Sequence, residues 1–109
     1  MYTYSMKTDK YLWEILVPVT IDGLKVKVAH HRKWDAEVRK ISGGLTIMKT
    51  SKGQWESCGG KLFKEKMIPV RISCSENDIE EIMSLTLSHY RQDEVMAYRI
   101  SDCVKFMSA

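Results

Sequence analysis

Two shortages bound this chain of 109 residues before any motif does: it has three cysteines and no long apolar run. Cys58, Cys74 and Cys103 are odd in number, lie far apart and form no C-x-x-C pair. That argues against a disulfide framework and against a zinc site, and no metal ligand set is expected. The segment Met1 to Asp9 holds no apolar stretch of signal-peptide length, and nothing reaches the ~20 apolar residues of a membrane span. A reducing, cytoplasmic location and no membrane partner are the expectation. Phosphate loops are missing too: neither Gly43-Gly44 nor Gly59-Gly60 opens a helix after a strand, so both read as turns. There is no strand-turn-helix nucleophile elbow either.

The charge is mild, +3. Its densest basic segment is His30-His31-Arg32-Lys33, followed by Arg39 and Lys40. Without an aromatic RNA-binding pattern or a helix-turn-helix pairing beside it, this reads as a solvated helix face, and nucleic acid is not an expected partner.

What is present fits one domain over 1–109, with 1–9 as a flexible N-terminal segment. Tyr11 to Thr20 alternates, with Trp13, Ile15, Val17 and Val19 on one side and Leu12, Glu14 and Leu16 on the other, which predicts a strand. Ile21-Asp22-Gly23-Leu24 is a turn, with Lys25 to Val28 a brief extension or loop beyond it. Trp34, Val38 and Ile41 at helical spacing predict a first helix over His31 to Ile41, stopped by Gly43-Gly44. Leu45 to Thr50 is a short β-prone run, and Ser57-Cys58-Gly59-Gly60 suggests a hairpin tip or bulge between Trp55 and Leu62. Leu62 to Cys74 is long for one strand, and Pro69, which lacks an N–H, predicts an edge position or a bulge. Ser75, with Asp78 three residues on, caps a second helix whose inner face is Ile79, Ile82, Met83, Thr86 and Tyr90. A strand over Val95 to Ile100 follows, and Asp102 marks a turn or bulge before Val104 to Met107. The order is α+β, a ferredoxin-like βαββαβ arrangement: an antiparallel sheet with both helices on one face. The opposite face then carries Met48, Phe63, Met67 and either Tyr98 or Met96, which predicts self-association through it.

Chemistry has few candidates. His30-His31 are adjacent and point to different sides, and His89 has no companion carboxylate at ligand spacing. Cys74 falls on the apolar phase of its strand, the position of a buried structural thiol. Glu65 lies at the parity opposite Val70 and Ile72, on the helix-free face, flanked by Lys64 and Lys66. Gln92, just past the second helix, offers a donor and an acceptor suited to a zwitterionic ligand.

Taken in order, His31-Arg32, Gly44, Gly53-x-Trp55, Glu65, Val70-Arg71-Ile72-Ser73-Cys74 and an aromatic residue two before Gln92-Asp93 resemble the phage-encoded S-adenosylmethionine lyases, formerly called hydrolases. The resemblance covers about residues 10 to 100 through isolated positions. It implies a homotrimer with sites between subunits, in the host cytoplasm. It also implies cleavage of S-adenosylmethionine to methylthioadenosine and homoserine lactone, without a cofactor, as a counter-defence or anti-restriction activity. On this resemblance Glu65 would be the catalytic acid, acting at the sulfonium or ribose end. Trp55 would be the aromatic substrate contact and Gln92 the amide on the amino-acid moiety. Trp55 departs from the tyrosine expected there: indole can stack but cannot accept a hydrogen bond. The alternative is a non-catalytic oligomeric module that sequesters a nucleotide-like small molecule or binds a host defence protein.

Overall fold

The computed structural model describes residues 10–49, 51–56 and 62–109, and of 51–56 and 62–65 the backbone alone. The flexible segment expected over 1–9 and the hairpin tip expected at Ser57 to Gly60 lie outside these residues.

The alternating stretch forms β1 (Tyr11–Pro18), which buries Trp13, Ile15 and Val17 on one side. The chain then turns into a two-residue hairpin, β2 (Thr20–Ile21) against β3 (Leu24–Lys25). Asp22 and Gly23 sit at φ 52° and 77°, the paired positive values that an Asp-Gly turn accommodates. Here the brief extension expected over Lys25 to Val28 folds back: the Val26 N–H donates to Val19 O at 2.8 Å, and Val26 is buried.

Helix α1 (Val28–Ser42) starts three residues before His31. Its N-cap is Lys27, whose side chain caps nothing and whose carbonyl accepts from the N–H groups of His30 and His31. No Ser, Thr, Asp or Asn marked that start, so the sequence held no signal for it. The end was marked: Gly43 adopts φ 88° and returns its N–H to Arg39 O.

After α1, β4 (Thr46–Ile47) and β5 (Ser51–Glu56) both run antiparallel to β6 (Leu62–Cys74), a single strand of 13 residues. Thr46 pairs with Arg71 and Ile47 with Val70, but Ser51 pairs with Met67, so one extra residue is inserted between β4 and β5. That is the bulge Pro69 called for, yet Pro69 is not on an edge. It lies in a central strand, opposite Leu16 of β1. Leu16 donates its N–H away from β6, to Met96 O, and Pro69 O accepts from Met48 N at 2.8 Å. The missing donor of Pro69 therefore faces the interruption between β4 and β5, where no ladder bond is needed.

Ser75 caps α2 (Glu76–Tyr90) by accepting the Asp78 N–H at 3.1 Å. The helix buries Ile79, Ile82, Thr86 and Tyr90. It closes at Arg91, a left-handed residue at φ 51°. The last strand, β7 (Ala97–Ser101), starts two residues later than expected and pairs with β1. The sheet order β4-β6-β1-β7, with β5 continuing the β4 edge, is the ferredoxin-like arrangement, and both helices pack on one face.

Trp34 and Tyr90 are the largest fully buried side chains of that helix-covered side. Trp34 Nε1 donates to Thr86 Oγ1 at 2.9 Å, and Thr86 passes its own hydrogen to Ile82 O at 2.6 Å. The buried indole N–H of Trp34 and the hydroxyl of Thr86 thus both keep partners, which is the condition for burying them without a large penalty.

Candidate functional site

The helix-free face is organised around Glu14, which pairs with Arg71 of β6 on one side and Tyr98 of β7 on the other. Its carboxylate accepts from Arg71 Nε at 3.2 Å and from the Tyr98 hydroxyl. Glu14 is only 8 % exposed. A carboxylate removed from water that far needs both charge-assisted partners. Sequence reasoning gave none of the three a role in chemistry: Arg71 entered only as one position of the lyase resemblance, and Tyr98 only as apolar surface for self-association. The available signal was a charge at the outward phase of an apolar strand, with a guanidinium at the matching phase of another.

The apolar content expected on this face needs one correction. Met48 and Tyr98 are exposed, and Met96 lies exposed beside Leu16, whose N–H it accepts. Met67 is buried at 5 %, so it adds nothing to an exposed patch: β6 is central there, with Pro18 of β1 opposite it and Ser51 of β5 on the other side. The side chain of Phe63 lies outside the described residues.

The pairing of β1 with β6 stops at Pro18 and Met67, whereas β5 and β6 continue together to Glu56 and Leu62. The two strands therefore leave the sheet as a ribbon. Glu65 pairs with Gly53 and Trp55 with Phe63, so Glu65 and Trp55 occupy diagonal positions on one face of it. Their side chains lie outside the described residues. Along β6, position 65 has the same parity as Arg71 and Ser73, the phase of the helix-free face.

Gln92 follows the end of α2, and α2 runs from the Cys74 end of β6 back toward the end from which the ribbon leaves. Fold topology thus brings Gln92 and the base of the ribbon to the same end of the sheet. Its Nε2 donates to Tyr90 O at 3.1 Å, which leaves the amide oxygen as the group able to meet a ligand donor.

On the other side of the sheet, the three histidines meet at the junction of α1 and α2. His30 Nε2 donates to His89 O and His89 Nε2 to His30 O, both at 2.7 Å, with the rings stacked 3.9 Å apart. His31 Nδ1 shares a 2.7 Å hydrogen bond with the Tyr90 hydroxyl. The expectation that His30 and His31 face different ways holds, and each has a structural partner. Burial lowers the His31 pKa, Asp35 opposes the shift, and His30 and His89 add to it. Burial also raises Asp35 and, with Asp35 adding, Tyr90. The Cys74 thiol is pushed up to about 11 by burial, with Asp78 adding, so it is an inert core group. Among the described residues no three His, Cys, Asp or Glu side chains gather closely enough to hold a metal ion. No helix among them is long and apolar enough to cross a membrane.

By sequence the chain matches no protein-family profile and no curated protein. By structure it is similar to a phage S-adenosylmethionine lyase in complex with S-methyl-5'-thioadenosine, with a TM-score of 0.65 and 15% identity over 94% of this chain and 88% of that one. It is also similar to CutA from Xylella fastidiosa, with a TM-score of 0.64 and 11% identity over 91% and 88%. The divalent cation tolerance protein CutA1 from Thermus thermophilus superposes with a TM-score of 0.60 and 6% identity over 84% and 82%. At these identities what the chain shares with the lyase and the CutA proteins is the fold.

Proposed function

We propose that the protein is an S-adenosylmethionine lyase whose site is completed between copies of the chain. In that reaction the substrate's own carboxylate attacks its γ-carbon as the carbon–sulfur bond breaks. The electron pair leaves with sulfur, giving homoserine lactone and neutral methylthioadenosine. No water, cofactor or added proton is consumed, so the protein's part is to hold the methionine tail folded and the nucleoside fixed.

The observation that carries this reading is the ribbon: Trp55 and Glu65 share one face of a two-stranded extension with no further strand of its own chain beside it among the described residues. Aromatic and acidic positions on such an extension favour a pocket closed by a second copy, here expected as a trimer. Trp55 supplies a surface for stacking the adenine, and Glu65 acceptors for the ribose hydroxyls. The free amide oxygen of Gln92 suits the substrate's ammonium. A carboxylate on the ribose also avoids opposing the loss of positive charge at sulfur in the transition state.

One specific residue favours the second reading, a binding module that sequesters the nucleoside without turnover: Trp55 stands where the lyases are expected to carry a tyrosine. Incubation with S-adenosylmethionine, followed by mass spectrometry, separates the two. Methylthioadenosine and homoserine lactone in equal amounts support the lyase, whereas stoichiometric binding without product supports the module. Sedimentation at micromolar concentration is expected to give a trimer, and a monomer would remove the shared pocket from both readings.

A further inference from the structure

A groove of about 640 Å³ runs along the margin of the helix-free face, at the end of the sheet away from the ribbon. That volume lies within the ~300–1,000 Å³ common for small-molecule sites. Ser73 in its floor is eight residues from Glu65 along β6, roughly 26 Å at strand rise, so the groove is separate from the positions proposed above.

Its chemistry is one-sided. Lys10 and Arg71 line it, and no carboxylate among the described residues does. Arg71 commits its Nε to Glu14, which tethers the guanidinium and leaves the terminal nitrogens for a ligand. At the nearby carbonyl end of α1, Ser42 Oγ donates to Val38 O, and the Gly43 N–H returns to Arg39 O. Arg39 and Lys40 occupy that last turn. These basic side chains offset part of the negative charge at that end of the helix.

Ser73 adds a second, independent sign. Its Oγ is inaccessible to solvent and has no hydrogen-bond partner. A buried hydroxyl in that condition carries a standing penalty that an incoming acceptor would relieve after one χ1 rotation. The walls are apolar, supplied by Leu12, Leu45, Val104 and Phe106. The C-terminal segment reaches this position because Ser101 Oγ bonds both the carbonyl and the N–H of Cys103, and Arg99 pairs with Asp102 at 2.9 Å. Lys10 Nζ lies 6.0 Å from the centre of the Phe106 ring, joining the cationic and apolar parts of the wall.

We propose that this groove binds a small amphipathic carboxylate: an acid group held by Arg71, Lys10 and Ser73, and a short apolar body against Leu12 and Phe106. The site is independent of the lyase reading.

The test is a titration of ¹⁵N-labelled protein with sodium hexanoate, with hexan-1-ol and hexylammonium chloride as matched controls. Hexanoate is expected to bind saturably and to shift the Gly43, Gly44 and Ser73 amides, with the alcohol at least about tenfold weaker and the ammonium weaker still. Ser73→Ala should weaken hexanoate several-fold while leaving the melting temperature unchanged or higher, because it deletes an unpaired hydroxyl rather than a contact. Lys10→Gln should weaken hexanoate and flatten its salt dependence. Equal affinity for hexan-1-ol, shifts centred elsewhere, no saturation by about 10 mM, or full affinity in both variants would overturn the proposal.

Discussion

The two faces of this sheet solve opposite problems. On the helix side Trp34, Thr86 and Tyr90 are buried and hydrogen-bonded to one another's elements, so burial and polar satisfaction coincide. On the open side one buried carboxylate, Glu14, depends on a half-exposed Arg71 and an exposed Tyr98, while Met48 and Met96 stay in contact with solvent. The first face devotes its residues to stability. The second leaves apolar surface and charged groups accessible, which is what a binding or self-associating surface requires.

The hardest blow to that contrast is Trp34→Ala. It removes a side chain that is 1 % exposed and leaves Thr86 Oγ1 without its donor, so a loss of about 3–5 kcal/mol in denaturant-measured stability is expected. A loss of under about 1 kcal/mol would mean that the helix side is not where stability resides.

On the open side the largest expected effect is on activity. Glu65→Gln should lower turnover of S-adenosylmethionine roughly 100-fold, and Gln92→Ala roughly tenfold with a higher KM, both with unchanged melts. Wild-type turnover by folded Glu65→Gln protein would end that residue's assignment and leave the binding module ahead.

Within the triad the two partners should not be equivalent. Arg71→Ala strands a carboxylate that is 10 % exposed at its side chain, whereas Glu14→Ala leaves a guanidinium that is 43 % exposed and can turn to water. The expected costs are about 2 and about 1 kcal/mol, discounted from fully buried pairs for the solvent around Arg71. Equal costs in a pair of melts would show that Tyr98 alone suffices for Glu14.

The smallest effect expected is in pH dependence, and it belongs to the helix side. The folded protein holds His31 below its usual 6.5, so the unfolded chain takes up the proton first. Stability should therefore decline as pH falls through 6.5 toward the lowered value. Asp35, raised above 3.8 by burial, works oppositely in its own more acidic window: the fold gains as pH drops through the raised value toward 3.8. His31→Gln should flatten the first slope in a series of melts and leave the second. An unchanged slope would rule out His31 as its source.

Legibility followed local chemistry. The cap at Ser75, the stop at Gly43 and the inner face of α2 were readable because each depends on residues within one helical turn. The start of α1 at Val28 was not, because Lys27 caps it with its backbone alone. Pro69 announced a bulge but not its place, since the extra residue sits across the ladder, between Ile47 and Ser51. Of the candidate site, the face on which Glu65 falls was legible from strand parity. Its diagonal relation to Trp55 required the register, and the groove at Ser73 required the C-terminal segment to fold back.

By itself the sequence determined the class of the protein: periodicity, caps and turns select two helices and an antiparallel sheet, because these signals act over a few residues and need no distant partner. Only the tertiary structure decided which charges meet. Glu14 and Arg71 are 57 residues apart and Glu14 and Tyr98 are 84 apart, and a register slipped by one residue would send each to the opposite face.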